Sequence, residues 1–453
     1  MTDLSTAAPS EAVELQPGEV GGPLLPSADL YGIFEDVSGA DLAAWERARS
    51  IGGRPGALDR INAAWEAAEY PLDIVAQLAE ADVLTDGVTV DGFEKLSPLA
   101  VGLVNMELAR FDGSMNTVIT VQAGLAMRTI ELMGSEEQKA AWLPPLARAE
   151  KLGAFGLTEP DHGSDSVALE TTAVRDGDEF VLNGQKRWIG NGSVGDVTVI
   201  WARMEDGQVG GFLVEQDRPG YDGRTITGKV ALRAIPQALI TLTDVRIPAS
   251  NQLPGCRSFK DIAPVLKATR YEIAWACLGH AIACYEAAHR HALNRVQFGR
   301  PLAANQLIQQ RLADMVGELV AMALYCRRLA DLEEAGKLTD AQASLAKVQN
   351  TRRARRIASD ARDMLGGSGI LLENDVIRHM ADIEALHTYE GTDTMQSLIV
   401  GRSITGTSAN RIRSSCRTRS SRGRPGARES FSTADWSASG VPLVRSARKL
   451  TIE

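Results

Sequence analysis

Short β-rich segments separated by turn dipeptides occupy the middle of this chain, between about residues 153 and 254, and helical periodicity dominates on both sides of them. The recurring dipeptides, which favour tight hairpins, are Asp176-Gly177, Asn183-Gly184, Asn191-Gly192, Asp206-Gly207 and Asp222-Gly223. Apolar residues follow helical spacing from about residue 42 to 149 and again from about residue 258 to 407. The pattern predicts an α+β multi-domain fold with a helical N-terminal domain, a middle antiparallel β domain and a C-terminal bundle of four or five helices.

Shifts in composition divide the chain into five segments. The first segment is acidic and rich in Pro and Gly, which predicts a flexible leader, and the last combines Arg with Ser, which predicts a disordered tail. The predicted boundaries are a leader over residues 1–35, an N-terminal helical domain over 36–153, a middle β domain over 154–257, a C-terminal helical bundle over 258–408 and a basic tail over 409–453.

Charge is distributed unevenly between these segments. The chain has 48 Lys and Arg against 58 Asp and Glu, a net charge of −10, but residues 409–453 alone carry +7 and the remainder carries −17. An acidic body does not attract nucleic acid or anionic membranes, and we expect neither as a partner. The N-terminus has no secretory or transit pattern and the five cysteines are scattered, so we expect a cytoplasmic protein.

Two patterns that often indicate a ligand site do not predict one in this chain. The sequence Gly190-Asn191-Gly192-Ser193-Val194-Gly195 matches the pattern GxGxxG but precedes a β-rich segment, whereas a dinucleotide-binding turn must open a helix. His280, His289 and His291 lack the spacing that would align them on one helix face, so we predict no metal site.

Five other motifs indicate the function of the chain, because they occur in a particular order. They are Leu157-Thr158-Glu159-Pro160 with Gly163-Ser164-Asp165, then Asn183 to Ile189, Arg295 to Gly299, Leu365 to Gly369, and Tyr389-Glu390-Gly391-Thr392. Each motif alone is typical of a turn, a cap or a helix end. In this order the chain resembles the acyl-CoA dehydrogenase/acyl-CoA oxidase family over roughly residues 35–408. The branch it resembles most contains glutaryl-CoA dehydrogenases and short-chain acyl-CoA oxidases.

The resemblance implies a four-helix C-terminal bundle, a homotetramer, and FAD held between the β domain and the bundle. The residues at FAD-binding positions of the family are Phe155, Leu157, Thr158, Ser164, Trp188, Ile189, Gly190, Arg295, Phe298, Gln306, Asp363, Gly366, Gly367, Thr392 and Thr394. The residues at acyl-CoA-binding positions are Ser164, Arg270, Tyr389, Gly391 and Asn116.

Glu390 matches the catalytic base of the family. The resemblance implies that it takes the α-proton of an acyl-CoA while a hydride leaves Cβ for flavin N5, which gives the trans-2-enoyl-CoA. Some branches carry the base at the residue before the Arg matched by Arg270. That residue here is Thr269, which has no carboxylate, so Glu390 keeps the role. Electron-transfer flavoprotein is the expected electron acceptor.

Departures from the family pattern bear on the substrate and the electron acceptor. Asn116 stands where glutaryl-CoA dehydrogenases carry an Arg for the distal carboxylate, which favours a short- or medium-chain monoacyl-CoA over glutaryl-CoA. Gly190 stands where many dehydrogenases carry Thr, so an oxidase that passes electrons to O2 is an open alternative. A non-catalytic acyl-CoA-binding paralogue is the third hypothesis, since the tail replaces the short ending of the family.

Overall fold

The computed structural model describes residues 28–407, so the tail prediction and most of the leader prediction fall outside the described residues. Helices form the first part of this range, as predicted. They are α1 (Gly39–Gly52), α2 (Ala57–Ala67), α3 (Leu72–Glu80), α4 (Pro98–Phe111), α5 (Gly113–Ile119), α6 (Arg128–Met133) and α7 (Glu136–Ala147). A π-helix, Thr120–Met127, connects α5 to α6.

Side-chain caps set several of these helix boundaries. Ser97 begins α4 by accepting a hydrogen bond from the Ala100 amide, and Asp112 begins α5 by accepting one from the Met115 amide. The predicted leader extends to residue 35, but Phe34 near its end is 3% exposed and packs against the ring of Trp275. Ala28 and Phe34 are therefore buried on the helical core, whereas Leu30 and Tyr31 between them are exposed.

A mixed sheet forms the middle of the chain. Its strands are β1 (Gly153–Gly156), β2 (Thr172–Asp176), β3 (Glu179–Gly190), β4 (Val197–Met204), β5 (Val209–Glu215), β6 (Tyr221–Thr225) and β7 (Gln237–Pro248). The strands follow the order β1-β4-β2-β3-β7-β6, and β5 pairs with β4. Most pairs are antiparallel, as predicted, whereas β1 and the start of β2 each run parallel to β4.

Two of the five predicted turn dipeptides lie inside strands instead. Asn183-Gly184 falls at a register shift in β3, where the Asn183 side chain bonds to Asp244 in both directions. Gly223 lies in β6, where a side chain would collide with the carbonyl oxygen of Gly192. Both glycines thus permit close approach of neighbouring backbone within the sheet.

Long helices return after the sheet and form the C-terminal bundle. They are α8 (Ala263–Asn294), α9 (Gln306–Glu334), α10 (Asp340–Met364), α11 (Val376–Thr388) and α12 (Asp393–Thr405), with a small hairpin of β8 (Val296–Gln297) and β9 (Arg300–Pro301) after α8. One core joins this bundle to the first helices, since α4 packs on α8 with Gly102 against the Trp275 ring. Over residues 28–407, no helix combines the length and apolarity that a bilayer crossing needs.

Candidate active site

Glu390 lies in the tight loop between α11 and α12. Its backbone has a φ of 51°, and Gly391 follows at 83°, so both residues adopt the left-handed region. That conformation is unfavourable for a glutamate and persists only where surrounding contacts enforce it. Thr392 ends the loop as the N-cap of α12, with its hydroxyl accepting from the Met395 amide at 3.3 Å. The loop fixes the direction of the Glu390 side chain.

Two buried side chains hold this loop from below. The Lys347 ammonium on α10 donates to the carbonyl oxygen of Tyr389 and, at 2.5 Å, to that of Gly391. The Gln396 amide on α12 donates to the carbonyl oxygen of Glu390 at 2.6 Å. Burial lowers the pKa of Lys347 to about 8, against the opposing effect of the Glu390 carboxylate.

The carboxylate of Glu390 is fixed by a third contact, from α8. The Thr269 hydroxyl donates to Glu390 Oε2 at 2.6 Å, and Thr269 is completely buried while Glu390 is partly exposed. The next residue, Arg270, has a side chain that is 15% exposed and lies 3.7 Å from Asp340. An anchored carboxylate on a partly exposed residue suits an acid–base role.

A second group of predicted site residues assembles on the sheet. The Arg187 amide in β3 donates to the carbonyl oxygen of Thr158 at 2.9 Å, which places Thr158 beside Trp188. Trp188 has a φ of 66° and is 53% exposed, with the Arg187 guanidinium 5.1 Å from its ring. Leu157 and Ile189 are buried beneath this surface, and Phe155 packs edge-on against Trp201.

A buried ion pair supports the Leu157–Thr158 segment. Glu159 accepts hydrogen bonds from the Lys186 ammonium at 2.8 Å, the Thr171 hydroxyl at 2.5 Å and the Glu170 amide at 2.6 Å. Burial alone would raise the pKa of Glu159, but these hydrogen bonds lower it to about 2. Burial lowers the pKa of Lys186 to about 8, although Glu159 opposes the change.

Gly190 lies at the end of β3, against the π-helix. A Cβ at this glycine would come within 2.7 Å of Val121 Cγ2, so Val121 already fills the space in which a side chain would stand. The absence of a side chain at residue 190 thus leaves no gap on this side.

The remaining predicted residues lie elsewhere. Arg295, Phe298 and Gln306 are exposed around the β8–β9 hairpin and the start of α9, and Phe298 is fully exposed. Ser164 and Thr394 are exposed, and Asp363 pairs with Arg362 beside the exposed Gly366 and Gly367. Within residues 28–407 no hydrogen bond or ion pair joins these residues to Glu390 or Thr158. The protomer therefore assembles two groups of predicted residues, one around Glu390 and one around Thr158.

Asn116 and Tyr389 are predicted substrate-binding residues that lie in the interior. Asn116 is completely buried, and its amide donates to Asn105 Oδ1 at 2.7 Å. Tyr389 is partly buried, and its hydroxyl has no hydrogen-bond partner in the part of the chain that the structure describes.

Sequence reasoning missed Lys347, Gln396 and Val121. Lys347 had a detectable signal, because it lies in α10 at helical spacing from the buried alanines Ala343 and Ala354. A lysine on such a face must find a partner in the interior. Val121 had no signal, since its role depends on how the π-helix approaches the sheet.

Two surfaces of the protein have the shape and exposure that a flat aromatic cofactor needs. Trp188 exposes half of its surface beside Thr158, whose hydroxyl makes no hydrogen bond within the described chain. Gly366, with a φ of 57°, and Gly367 have open space where side chains would stand. These surfaces fit FAD. Among residues 28–407, no set of three or more His, Cys, Asp or Glu side chains is arranged to hold a metal ion.

Comparison with known proteins identifies the same three-part organisation. Models of the N-terminal, middle and C-terminal domains of acyl-CoA dehydrogenase match residues 57–150, 154–245 and 259–405. The human mitochondrial short-chain specific acyl-CoA dehydrogenase is 34% identical over 311 residues, which cover 67% of this chain and 75% of that protein.

Solved structures agree with this match. A glutaryl-CoA dehydrogenase from Mycobacterium smegmatis has a TM-score of 0.82 and 40% identity, covering 85% of this chain and 99% of that one. A glutaryl-CoA dehydrogenase from Mycobacterium smegmatis in complex with FADH2 has a TM-score of 0.80 and 35% identity, covering 83% and 97%. Since all three domains match in order and the folds coincide, the chain belongs to the acyl-CoA dehydrogenase family, whose members are FAD-dependent oxidoreductases.

Proposed function

We propose that this enzyme dehydrogenates a short- or medium-chain monoacyl-CoA at its α,β bond, with Glu390 as the base. The observation that carries the proposal is the position of Glu390, whose carboxylate is anchored by Thr269 at 2.6 Å while the residue stays partly exposed. Its loop is fixed from inside the protein by Lys347 and Gln396. A base held in one place loses little freedom when the substrate binds.

In the proposed reaction, the bond between Cα and its hydrogen breaks and Glu390 receives the proton. Bound FAD supplies the acceptor for the hydride that leaves Cβ. The electron pair freed at Cα forms the double bond to Cβ, which gives the trans-2-enoyl-CoA. The backbone N–H of Glu390 is the proposed donor to the thioester carbonyl, whose negative charge grows as the proton leaves.

We assign FAD binding to the sheet surface and to a second copy of the chain. Thr158, Trp188 and Gly190 form the proposed flavin surface, supported by Phe155, Leu157 and Ile189. The proposed contacts to the remainder of FAD are Ser164, Arg295, Phe298, Gln306, Asp363, Gly366, Gly367, Thr392 and Thr394. A fully exposed aromatic such as Phe298 favours contact with a partner subunit, in agreement with the proposed homotetramer. Ser164, Arg270, Tyr389 and Gly391 are the proposed acyl-CoA contacts.

The proposed substrate carries no distal carboxylate. The only donor group of the Asn116 side chain is engaged by Asn105, and two carboxyl groups, Asp86 and Glu272, lie in the same buried region. A second negative charge at the acyl end would face these two carboxyl groups. The Arg128 guanidinium of the same region already donates to the Asp86 carbonyl oxygen and lies 3.9 Å from Glu272 Oε1. This distinguishes the proposed activity from that of the glutaryl-CoA dehydrogenases that the fold resembles.

Electron-transfer flavoprotein is the proposed electron acceptor. Val121 supports this choice over O2, because its methyl group fills the space beside Gly190. We also propose a cytoplasmic location, since the four cysteines of the described residues, Cys256, Cys277, Cys284 and Cys326, are all free.

Anaerobic titration of the purified flavoprotein with acyl-CoAs of increasing length tests the proposal. We expect the flavin absorbance to bleach, slow recovery when air is admitted, and rapid recovery with electron-transfer flavoprotein. Glu390→Gln should abolish bleaching while binding acyl-CoA, and the surface variant Glu384→Gln should behave as wild type. Bleaching in Glu390→Gln, or none in the wild type with any thioester, would contradict the proposal. Fast H2O2 production in air would establish the oxidase instead.

A further inference from the structure

A group of buried polar side chains lies one helical turn inward from the proposed base. Glu272 follows Thr269 by three residues on α8, so both side chains lie on the same helix face. The helix is partly exposed at several positions up to Arg270 and continuously buried from Tyr271 to Ile282. Glu272 therefore lies on the interior side of the contact between Thr269 and Glu390.

This group, which we call the inner polar cluster, consists of Asp86, Asn105, Asn116, Arg128 and Glu272. The Asn116 amide donates to Asn105 Oδ1 at 2.7 Å, and the Asn105 amide donates to Asp86 Oδ1 at 2.8 Å. Arg128 donates to the carbonyl oxygen of Asp86 at 2.5 Å and lies 3.9 Å from Glu272 Oε1. The cluster thus joins the segment before α4 and four helices, α4, α5, α6 and α8, into one polar region.

Hydrogen-bond acceptors in the cluster outnumber its donors. Asp86 Oδ2, Asn116 Oδ1 and both carboxyl oxygens of Glu272 have no hydrogen-bond partner among residues 28–407, and neither has the donor Arg128 Nε. Four unpartnered acceptors therefore stand against one unpartnered donor. All three acceptor side chains are buried, and Glu272 is 1% exposed. Buried acceptors without donors are costly, so natural structures rarely leave several of them together.

A shared proton would account for only part of this imbalance. Burial raises the pKa of both Asp86 and Glu272, and the proximity of Asp86 raises that of Glu272 further. A proton held between the two carboxyl groups satisfies one oxygen of each. The second oxygen of Glu272 and Oδ1 of Asn116 remain as acceptors. The single N–H of Arg128 Nε can serve only one of them, so at least one acceptor still needs a donor from outside the cluster.

Gly124 brings the cluster against the π-helix, which also contacts the proposed flavin surface. A Cβ at this glycine would lie 2.5 Å from Glu272 Oε2, so the glycine allows the carboxyl group to lie against the π-helix backbone. Three residues earlier, Val121 contacts Gly190 of the proposed flavin surface. The π-helix thus extends from the proposed flavin surface to the inner polar cluster.

We propose that the inner polar cluster binds the distal end of the acyl group and that this end carries a hydrogen-bond donor, such as a hydroxyl group. The inference rests on the proposed acyl-CoA dehydrogenase activity and narrows its substrate class. Glu272 and Asn116 accept hydrogen bonds from the distal group. A methyl end leaves these oxygens unpaired, and a carboxylate end adds acceptors to a region that already has an excess.

The test compares CoA thioesters that differ only in the distal group, which is methyl, hydroxyl or carboxylate, over a series of chain lengths. The holoenzyme provides kcat/KM with an excess of an artificial electron acceptor. Calorimetry with the Glu390→Gln holoenzyme provides the Kd of each thioester without turnover. At the best length we expect the hydroxyl form to exceed the methyl form by at least about 10-fold in kcat/KM and in affinity, with the carboxylate form the poorest.

Two variants of Glu272 separate hydrogen bonding from shape. Glu272→Gln keeps an acceptor oxygen and should keep the preference for hydroxyl. Glu272→Leu removes both oxygens and should reverse the preference in favour of methyl. A wild-type preference for methyl at every length would overturn the inference, even if Glu272→Leu fails to fold. Preserved hydroxyl preference in a folded Glu272→Leu would also overturn it.

These outcomes differ from failure of the proposed function. If methyl-terminated thioesters bleach the flavin best, the enzyme is a dehydrogenase and only the inference about the distal group is wrong. If no thioester bleaches the flavin, the proposed function itself is wrong.

Discussion

The hydroxyl of Thr269 donates a hydrogen bond of 2.6 Å to the carboxylate of Glu390 and so joins α8 to the loop between α11 and α12. Thr269 occupies the position at which other branches of the family place the base. We propose that in this chain Thr269 is a positioning residue for the proposed base, Glu390.

Thr269→Val should therefore slow anaerobic flavin reduction with little change in fold. Loss of the hydrogen bond frees the Glu390 carboxylate to rotate, and we expect the rate constant to fall by roughly 10-fold. Stopped-flow absorbance at saturating acyl-CoA measures this step. Thr269→Ser retains the hydroxyl and should reduce flavin at nearly the wild-type rate. Equal rates for Val and Ser would show that the contact does not position the base.

Lys347→Met should destabilise the loop that carries Glu390. The substitution removes the donor for the carbonyl oxygens of Tyr389 and Gly391, and we expect a loss of about 3 kcal/mol in the free energy of unfolding. Urea denaturation monitored by circular dichroism measures the loss. Lys139→Met, at a surface ion pair with Glu136, is the matched control and should change stability by less than about 1 kcal/mol. Similar losses in both variants would contradict the anchoring role.

Acid sensitivity should depend on Glu159. Its pKa is about 2 in the folded protein against 4.5 for an unperturbed glutamate, so the unfolded chain binds more protons between these values. The carboxylate therefore contributes its full stabilisation, about 3 kcal/mol, above pH 4.5 and loses it as the pH falls toward 2. The difference in melting temperature between wild type and Glu159→Gln should be largest near neutral pH and shrink below pH 4.5. A difference that is constant with pH would exclude this role for Glu159.

Lys186 adds a second effect at alkaline pH. Its pKa is about 8 when folded against an ordinary 10.5, so the unfolded chain again binds more protons in this interval. The charged ammonium costs stability below pH 8, and this cost is relieved as the pH rises from 8 to 10.5. Glu159→Gln leaves the Lys186 ammonium without its partner. The stability that this variant loses relative to wild type should therefore also become smaller at alkaline pH.

Val121→Ala should increase the reactivity of the reduced enzyme with O2. The change opens space beside Gly190, at a cost in stability of about 2 kcal/mol. We expect several-fold faster reoxidation in air, followed by stopped-flow absorbance after anaerobic reduction. Gly190→Thr alone should lose flavin because its side chain meets Val121, and the double variant with Val121→Ala should regain it. If folded Val121→Ala is reoxidised by O2 at the wild-type rate, Val121 does not limit the reaction with O2.

The order of the elements was predictable because hairpin dipeptides and helical spacing are local signals. Asp176-Gly177 and Asp206-Gly207 do separate strands, whereas Asn183-Gly184 lies inside β3 because its neighbours on β7 are remote in sequence. The family motifs pointed to Glu390 and Thr158, around which the two groups assemble. The family motifs do not include Lys347 or Gln396, because tertiary packing decides which donors hold a loop. Only the position of Lys347 on the buried face of α10 could have indicated its role. The roles of the predicted FAD and acyl-CoA residues remain predictions.

The π-helix over Thr120–Met127 determines the directions in which Val121 and Gly124 face. In an α-helix, Val121 and Gly124 would lie on nearly the same side, one turn apart. The wider turn of a π-helix rotates them away from each other, so that Val121 meets the β domain at Gly190 and Gly124 meets the bundle at Glu272. Deleting one residue here would convert the segment to an α-helical turn. Either Val121 or Gly124 would then face away from its present neighbour. The phase of a single turn thus sets both the contact at the proposed flavin surface and the contact at the cluster proposed to bind the acyl end.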